Sequence, residues 1–314
     1  MPAPHTTRSA SILAAFALAL AAAGSAALVL VEPVAAQDES LKVYISADME
    51  GVVGAVTTEQ LGPGGFEYER FREYMTNEVL AAIEAAREAG ATEILVSDSH
   101  GNGQNLLIDR LPPDVQVVRS WPRPLMMMQG IDDTFDAAIL LGYHAGTTNP
   151  EGVRAHTMSS ARLADLRLNG ISIPEAGMSA AIAGHFGVPV VLISGDDAAV
   201  REAQALLGDV EGAVVKWNYG FHSARTLTPE AGYALIGEKV RTALARLEEF
   251  EPWSVTRPVT LDVTFKSYRP AEVLAYLPIV ERLDAHSVRY EAEDALAASR
   301  FLEFLLTYSA ELEP

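Results

Sequence analysis

Three apolar runs of this sequence end in side chains that commonly bind metal ions. The first run, YISADMEG, ends in the carboxylates of Asp48 and Glu50. The second run, ILVSDSHG, ends in His100, and the third, ILLGYHAG, ends in His144. Carboxylates are rarely buried unless they are paired or bind a metal, and His with carboxylate ligands suits zinc or another divalent ion. Each signal is weak alone, but their recurrence after three apolar runs predicts a metal site.

The surrounding pattern alternates between short apolar strands and amphipathic helices. This alternation predicts an α/β fold with a largely parallel central sheet flanked by helices. Since the carboxyl ends of parallel strands share one edge of a sheet, the three runs should converge there. Asp48 and Glu50 are two residues apart and project to the same side if the strand persists. Several carboxylates that can bridge also suit a pair of metals.

Composition and periodicity divide the chain into an N-terminal segment, residues 1–36, and two folded parts. Residues 37–225 are predicted to form the metal-binding α/β catalytic domain, with a long helix over EYERFREYMTNEVLAAIEAAREAG. Residues 226–314 are predicted to form a smaller C-terminal α+β portion, with a helix behind Pro229, an alternating strand and a terminal helix. Two smaller features are interpreted as structural: Asp196 and Asp197 as caps of the following helix rather than hydrogen-bond partners of metal ligands, and the run MMMQG as core or pocket lining.

The N-terminal segment has the pattern of a secretory leader. Arg8 precedes a long apolar stretch, and small residues after Pro33 resemble a cleavage site. We interpret residues 1–36 as a signal peptide that is removed on export, so that the protein is periplasmic or secreted without stable membrane association. An uncleaved N-terminal membrane anchor is the alternative, because the apolar stretch is longer than usual.

Composition excludes several kinds of chemistry. The 314 residues include no cysteine, which rules out disulfides, thiolate nucleophiles and cysteine-bound zinc. The formal net charge of −19 argues against nucleic acid or anionic membrane surfaces as partners. Any metal must therefore be held by His, Asp and Glu.

Several short motifs together resemble one enzyme family. The motifs SADMEGVVG, SDSHG, LGYHAG, AHTM and SGDDAAV are similar to those of the zinc-dependent D-aminopeptidases typified by DppA of dipeptide-transport operons. The resemblance runs from about Lys42 to the C-terminus and is strongest over residues 43–200. It implies two zinc ions per subunit, with Asp48 as the natural bridge. The implied metal ligands are Asp48, Glu50, His100, His144 and Glu175.

The resemblance also assigns a role to His156. From the residues alone, His156 would be a surface histidine and Glu175 an ordinary acidic residue near a helix start. In the family pattern His156 is the catalytic histidine, as an acid–base group, an oxyanion stabiliser or a nucleophile. The implied activity is release of N-terminal amino acids, with a preference for D-residues, from short peptides by metal-activated water. D-Ala-containing peptides are the expected substrates, and a ring-like homo-oligomer is the expected assembly.

Two other kinds of protein remain open from the sequence. One is an exported peptide- or metal-binding protein that does not turn over its ligand. The other is a different zinc amidohydrolase or metal hydrolase, such as an amidase or a phosphoesterase. The absence of a phosphate-binding glycine loop and of a Ser/Thr nucleophile motif weakens the latter.

Overall fold

A parallel sheet forms the centre of the computed structural model, which describes residues 40–308. Its strands are β1 (Leu41–Ala47), β2 (Ala91–Asp98), β3 (Gln116–Val118), β4 (Ala137–Tyr143), β7 (Val190–Asp196), β8 (Glu211–Gly220) and β9 (Ser223–Thr226). The strand order is β3-β2-β1-β4-β7-β8-β9, and only the pairing of β8 with β9 is antiparallel. Strands β4 and β7 are buried along their whole length, as expected for strands covered on both faces.

Helices cover both faces of this sheet. The helices of the described residues are α1 (Tyr68–Glu88), α2 (Glu175–His185), α3 (Asp197–Leu207), α4 (Pro229–Ala245), α5 (Tyr268–Leu274) and α6 (Ala295–Thr307). Of these, α5 packs on a second sheet described below. Short 3-10 helices lie at Thr58–Gln60, Ile108–Arg110, Met126–Met128 and Leu247–Glu249. Val43 and Ile45 of β1 point to the core shared with α1 and α4. Tyr44, between them, points to the core shared with α2 and α6, so alternate residues of one strand serve opposite layers.

The long helix α1 shows how sequence spacing produces this packing. Phe71, Met75, Val79 and Ala82 recur every three or four residues and are all buried. Burying each large apolar side chain contributes roughly 1.5–3 kcal/mol. The predicted helix is therefore confirmed, and it ends just before Gly90, whose φ is 101°.

A second, antiparallel sheet lies beside the first and shares the core of its α2 face. Its strands are β5 (Leu163–Leu168), β6 (Ile171–Ser172), β10 (Val259–Phe265), β11 (Val280–Arg282) and β12 (Ser287–Ala292), in the order β11-β12-β10-β5-β6. The predicted fold class, a mostly parallel α/β sheet with an additional α+β portion, is confirmed. The domain boundary at residue 226 stays a prediction, and the structure adds that β5 of the earlier segment pairs with β10 of the later one.

Strand order explains why distant motifs meet. β1 lies between β2 and β4, and Ala47 at the end of β1 pairs with Asp98 of β2 and Leu141 of β4. The motifs that follow these three strands therefore start at the same edge of the sheet, as predicted.

The predicted leader, residues 1–36, lies outside the described residues. Between residues 40 and 308 no helix combines the length and the apolar character that crossing a bilayer requires.

Candidate metal centre

All six predicted site residues lie together at the carboxyl edge of the parallel sheet. They form two groups in which the potential ligand atoms lie within 4.8 Å of one another. The first triad is Asp48, Glu50 and His100, and the second triad is His144, His156 and Glu175. A cavity of about 420 Å³ opens over them and is lined by every member except the buried His144.

The backbone at the end of β1 fixes the first carboxylates. The Asp48 N–H donates to the Leu141 carbonyl at 2.8 Å, and the Gly51 N–H donates to the Gly142 carbonyl at 2.6 Å. Gly51 approaches so closely that a Cβ there would lie 2.0 Å from the Tyr143 carbonyl oxygen. The loop from Asp48 onward is thus bonded to the neighbouring strand, which is why both carboxylates stay at the sheet edge.

His100 completes the first triad. Its Nδ1 lies 3.1 Å from Asp48 Oδ1 and 2.8 Å from Glu50 Oε2. Its Nε2 lies 2.6 Å from the Leu61 carbonyl oxygen. All three members of the triad are buried.

His144 joins the second triad to Asp48. Its Nε2 lies 3.3 Å from Asp48 Oδ2 and 3.4 Å from Glu175 Oε2. Its Nδ1 lies 3.0 Å from the Ala145 carbonyl oxygen. Glu175 is the first residue of α2, where the positive end of the helix dipole favours a carboxylate.

His156 lies on the loop that follows β4 and packs against His144. The two rings stack with centroids 4.1 Å apart and an angle of 10° between their planes. His156 Nδ1 lies 2.9 Å from the Arg154 carbonyl oxygen, and its Nε2 lies 3.6 Å from Glu175 Oε1. The same Glu175 oxygen accepts from the Met158 N–H at 2.6 Å. His156 is the most exposed histidine of the two triads, with 14% of its side chain accessible.

The three imidazoles share one arrangement. In each, a backbone carbonyl lies within hydrogen-bond distance of one ring nitrogen. Because a carbonyl can only accept, that nitrogen carries the hydrogen, and the other nitrogen faces the carboxylates. Metal-ligating histidines are oriented in this way.

The buried carboxyl groups of the first triad have pKa values shifted in opposite directions. Burial and the neighbouring Glu50 carboxylate raise the pKa of Asp48. Burial opposes ionisation of Glu50 as well, but the attraction of His100 outweighs it and holds the pKa of Glu50 well below its usual range. Buried carboxylates at this density require cations beside them, either protons on the histidines or metal ions.

The hydrogen bonding of two buried atoms shows whether a metal ion fits this site. Asp48 Oδ2 and His144 Nε2 are buried and make no hydrogen bond within residues 40–308, although they lie 3.3 Å apart. Unpartnered buried polar atoms are costly, and a cation between them would remove that cost. Asp48 Oδ1 faces His100 while Oδ2 faces His144, so one carboxylate reaches both triads. Nitrogen and oxygen donors without sulfur fit zinc and similar divalent ions.

Other residues hold this site in place, and of these only the helix cap at Asp196 was predicted. Asp98 accepts from the N–H groups of Asn105 and Leu106 at 2.6 and 2.7 Å, and the Asn105 side chain donates to the His100 carbonyl at 2.6 Å. Asp98 belongs to the motif Asp-Ser-His that ends in His100, but the sequence carries no signal for its partner Asn105. Asp196 caps α3, as predicted, by accepting from the Ala199 N–H at 2.7 Å, whereas Asp197 is the first residue of α3 and accepts from the Asn218 N–H at 3.0 Å.

The cavity walls come from three separate segments. Met126 and Met127 belong to the predicted methionine run and line the cavity, as does Met158. Helix α6 contributes Glu303, one oxygen of which accepts from the Arg123 N–H at 3.1 Å. The space is therefore partly apolar, with ionisable groups at one side.

Fold and site together define a metal-binding α/β protein with a substrate-sized cavity over its ligands. The sequence of residues 41–304 matches the family model of the D-aminopeptidases, peptidase M55. The chain therefore belongs to the D-aminopeptidase family, and the predicted aminopeptidase class is confirmed.

Two relatives support this assignment. The D-aminopeptidase of Bacillus subtilis (strain 168) is 34% identical over 259 residues, which cover 82% of this chain and 94% of the relative. The solved structure of the zinc-dependent D-aminopeptidase DppA from Bacillus subtilis, described as a self-compartmentalizing protease, is similar with a TM-score of 0.81 at 32% identity. That similarity covers 86% of this chain and 99% of DppA.

Proposed function

We propose that this enzyme binds two zinc ions per subunit and releases N-terminal amino acids, preferentially D-residues, from short peptides. One observation carries the proposal: the two triads adjoin at Asp48, a member of the first triad whose Oδ1 faces His100 and whose Oδ2 faces His144 of the second. The zinc dependence of the solved relative supports the choice of metal.

The ligands follow from the arrangement of donors. Asp48, Glu50 and His100 would hold one ion, and Asp48, His144 and Glu175 the other. When bound, the ions would lower the pKa of a water towards neutrality and polarise the scissile carbonyl group. The chain itself supplies the fixed orientation of the five donors, since strand ends and a helix start place all of them.

His156 is the proposed catalytic residue. It lines the cavity, and the Arg154 carbonyl holds its Nδ1–H, which leaves Nε2 free to accept or return a proton. Such a group contributes by moving a proton at the leaving amine or by a hydrogen bond to the developing oxyanion. The same Nε2 would also be the attacking atom if His156 were a nucleophile.

The cavity suits a short peptide with a free amino terminus. Its volume of about 420 Å³ is within the range of small-ligand pockets. Glu303 adds a carboxylate to the lining beyond the ligands, so a positively charged α-ammonium group is favoured electrostatically. Peptides that begin with D-Ala are the proposed substrates, in keeping with the small scale of the cavity.

Two proposals concern the whole protein. The leader pattern of residues 1–36 supports export to the periplasm or medium. The description of the solved relative as a self-compartmentalizing protease supports a homo-oligomer. An apolar groove of about 630 Å³ at Phe304, Tyr308 and Tyr276 supports subunit association as well.

Metal analysis combined with a stereochemical screen tests the proposal. We expect close to two zinc ions per chain, loss of activity on chelation, and faster turnover of D-Ala-D-Ala than of L-Ala-L-Ala. Full activity in a thoroughly metal-stripped sample would overturn the metal mechanism. Equal turnover of both dipeptides would overturn the stereochemical preference, and zinc binding without turnover of either would favour the non-catalytic alternative.

A further inference from the structure

Lys216 of β8 is a charged residue with no exposed surface. It stands in the apolar run GAVVKW, where its side chain reaches the loop that follows β1. Its Nζ donates to three backbone carbonyls of that loop: Val52 at 3.0 Å, Ala55 at 2.7 Å, and Glu50 at short range. An ammonium group has three hydrogens to donate, so these three carbonyls use its full capacity.

The same loop is held at two further points. The Gly51 N–H donates to Gly142 of β4, and the Val53 N–H donates to the buried Glu78 of α1 at 2.9 Å. Lys216 therefore acts on a segment that β4 and α1 fix from other sides. Of these contacts to the loop, the hydrogen bond from Lys216 is the one that reaches the backbone of Glu50 itself.

A lysine in this position is costly for stability. Burial lowers the pKa of Lys216 to about 8, although the carboxylates of Asp196 and Glu78 oppose that shift. Replacing buried charges by apolar side chains of similar volume is often neutral or stabilising. The stability of the fold alone therefore does not explain why this position carries an ammonium group. The need to hold three backbone carbonyls next to the proposed ligand Glu50 does explain it.

We propose that Lys216 is a positioning residue that sets the backbone of the Glu50 loop and thereby the geometry of the first triad. The inference rests on the two-metal site proposed above. Its effect passes through Glu50, because Lys216 does not line the cavity.

The second triad is fixed by other means. His144 follows β4 directly, His156 is held by the Arg154 carbonyl, and Glu175 begins α2. Lys216 makes hydrogen bonds to none of these residues. Loss of the ammonium group should therefore weaken one metal subsite and spare the other.

The test is zinc titration of Lys216→Met, which keeps the length and removes the charge. The wild type should bind two zinc ions. The variant should retain one with near wild-type affinity and bind the other about 10- to 100-fold more weakly, the scale for groups that orient metal ligands. At low zinc its kcat should fall while KM changes little, and excess zinc should restore kcat.

Lys239→Met is the matched control. It also removes one positive charge from the chain, but Lys239 lies on α4 and pairs with Glu211 at 3.1 Å. The control should bind two zinc ions with wild-type affinities and keep wild-type kcat. This separates loss of the loop contacts from a general change in net charge.

The outcomes distinguish failure of the positioning role of Lys216 from failure of the two-metal proposal. Two wild-type affinities in Lys216→Met, or equal weakening of both subsites, would overturn the positioning role while the proposed function stands. A wild type that binds fewer than two ions would overturn the two-metal proposal itself. If Lys216→Met does not fold, Glu78→Ala releases the same loop at Val53 and should weaken the same subsite, whereas unchanged or equally weakened subsites would contradict the inference.

Discussion

His144 and His156 stack on one another and face the same carboxylate, that of Glu175, but they occupy different places. His144 is buried between Asp48 and Glu175, whereas His156 faces the cavity and lies 3.6 Å from its nearest Glu175 oxygen. The short distances among potential donors would also allow His156 to be a ligand. Separating a ligand from a catalytic group therefore requires a measurement of metal content as well as rate.

Paired alanine substitutions make that separation. His144→Ala should lose zinc and activity together, because a ligand is removed. His156→Ala should keep its zinc and lose kcat by roughly two to four orders of magnitude, the scale of acid–base or oxyanion assistance. Bound zinc and kcat would be measured for both with one dipeptide. If His156→Ala loses as much zinc as His144→Ala, His156 is a metal ligand. If its kcat is unchanged, His156 has no catalytic role.

Among the elements, those with a clear sequence period were predictable. The apolar spacing of α1 and the continuous apolar runs of β1, β4 and β7 correspond to the predicted elements. The pairing of β5 with β10 was not predictable, since about 90 residues separate them and their alternation fits any half-buried strand. Lys216 and Glu78 have a recognisable sequence signal: Glu78 stands at a core position of the α1 period, and Lys216 stands inside the apolar run GAVVKW.

Close approach of the β1 loop to β4 makes Gly51 a sensitive position. Gly51→Ala would place a Cβ 2.0 Å from the Tyr143 carbonyl oxygen. That oxygen belongs to the backbone of a buried strand, so it cannot easily move away. We expect a loss of about 3 kcal/mol or more in the free energy of unfolding, together with weaker zinc binding. Gly62→Ala is the control, because a Cβ there meets nothing within 4 Å. Denaturant unfolding would measure both, and equal stability of the two variants would contradict the steric argument.

Helix α1 carries a carboxyl group that links stability to pH. Burial raises the pKa of Glu78 to about 7, despite the Val53 N–H and the nearby Lys216, which oppose the shift. The folded state therefore binds more protons than the unfolded state between about pH 4.5 and pH 7, so this contribution to stability is present at low pH and lost as pH rises.

Glu78→Gln should remove that dependence. Between pH 5 and pH 8 the wild type should lose about 2 kcal/mol of unfolding free energy relative to the variant. Denaturant titrations at both pH values, with a chelator present in all samples, would measure the difference. A constant gap between the two proteins across this range would show that Glu78 titrates near its ordinary pKa.

For the whole molecule, the leader is the most direct prediction. If residues 1–36 are removed on export, secreted or periplasmic material should begin near Gln37. N-terminal sequencing or intact-mass measurement of protein from each cell fraction would check this. An intact N-terminus in the membrane fraction would support an anchor instead.

The methionines of the cavity wall give the enzyme a chemical weakness. Met126, Met127 and Met158 line the cavity beside the proposed metal ligands, in a chain that has no thiols. Oxidation converts such a flexible apolar side chain into a polar, chiral sulfoxide. The bound metal would be untouched by this change, but the surface that receives the substrate would lose its apolar character. Oxidising conditions would therefore act on this enzyme through the cavity wall, since none of the proposed metal ligands is a methionine.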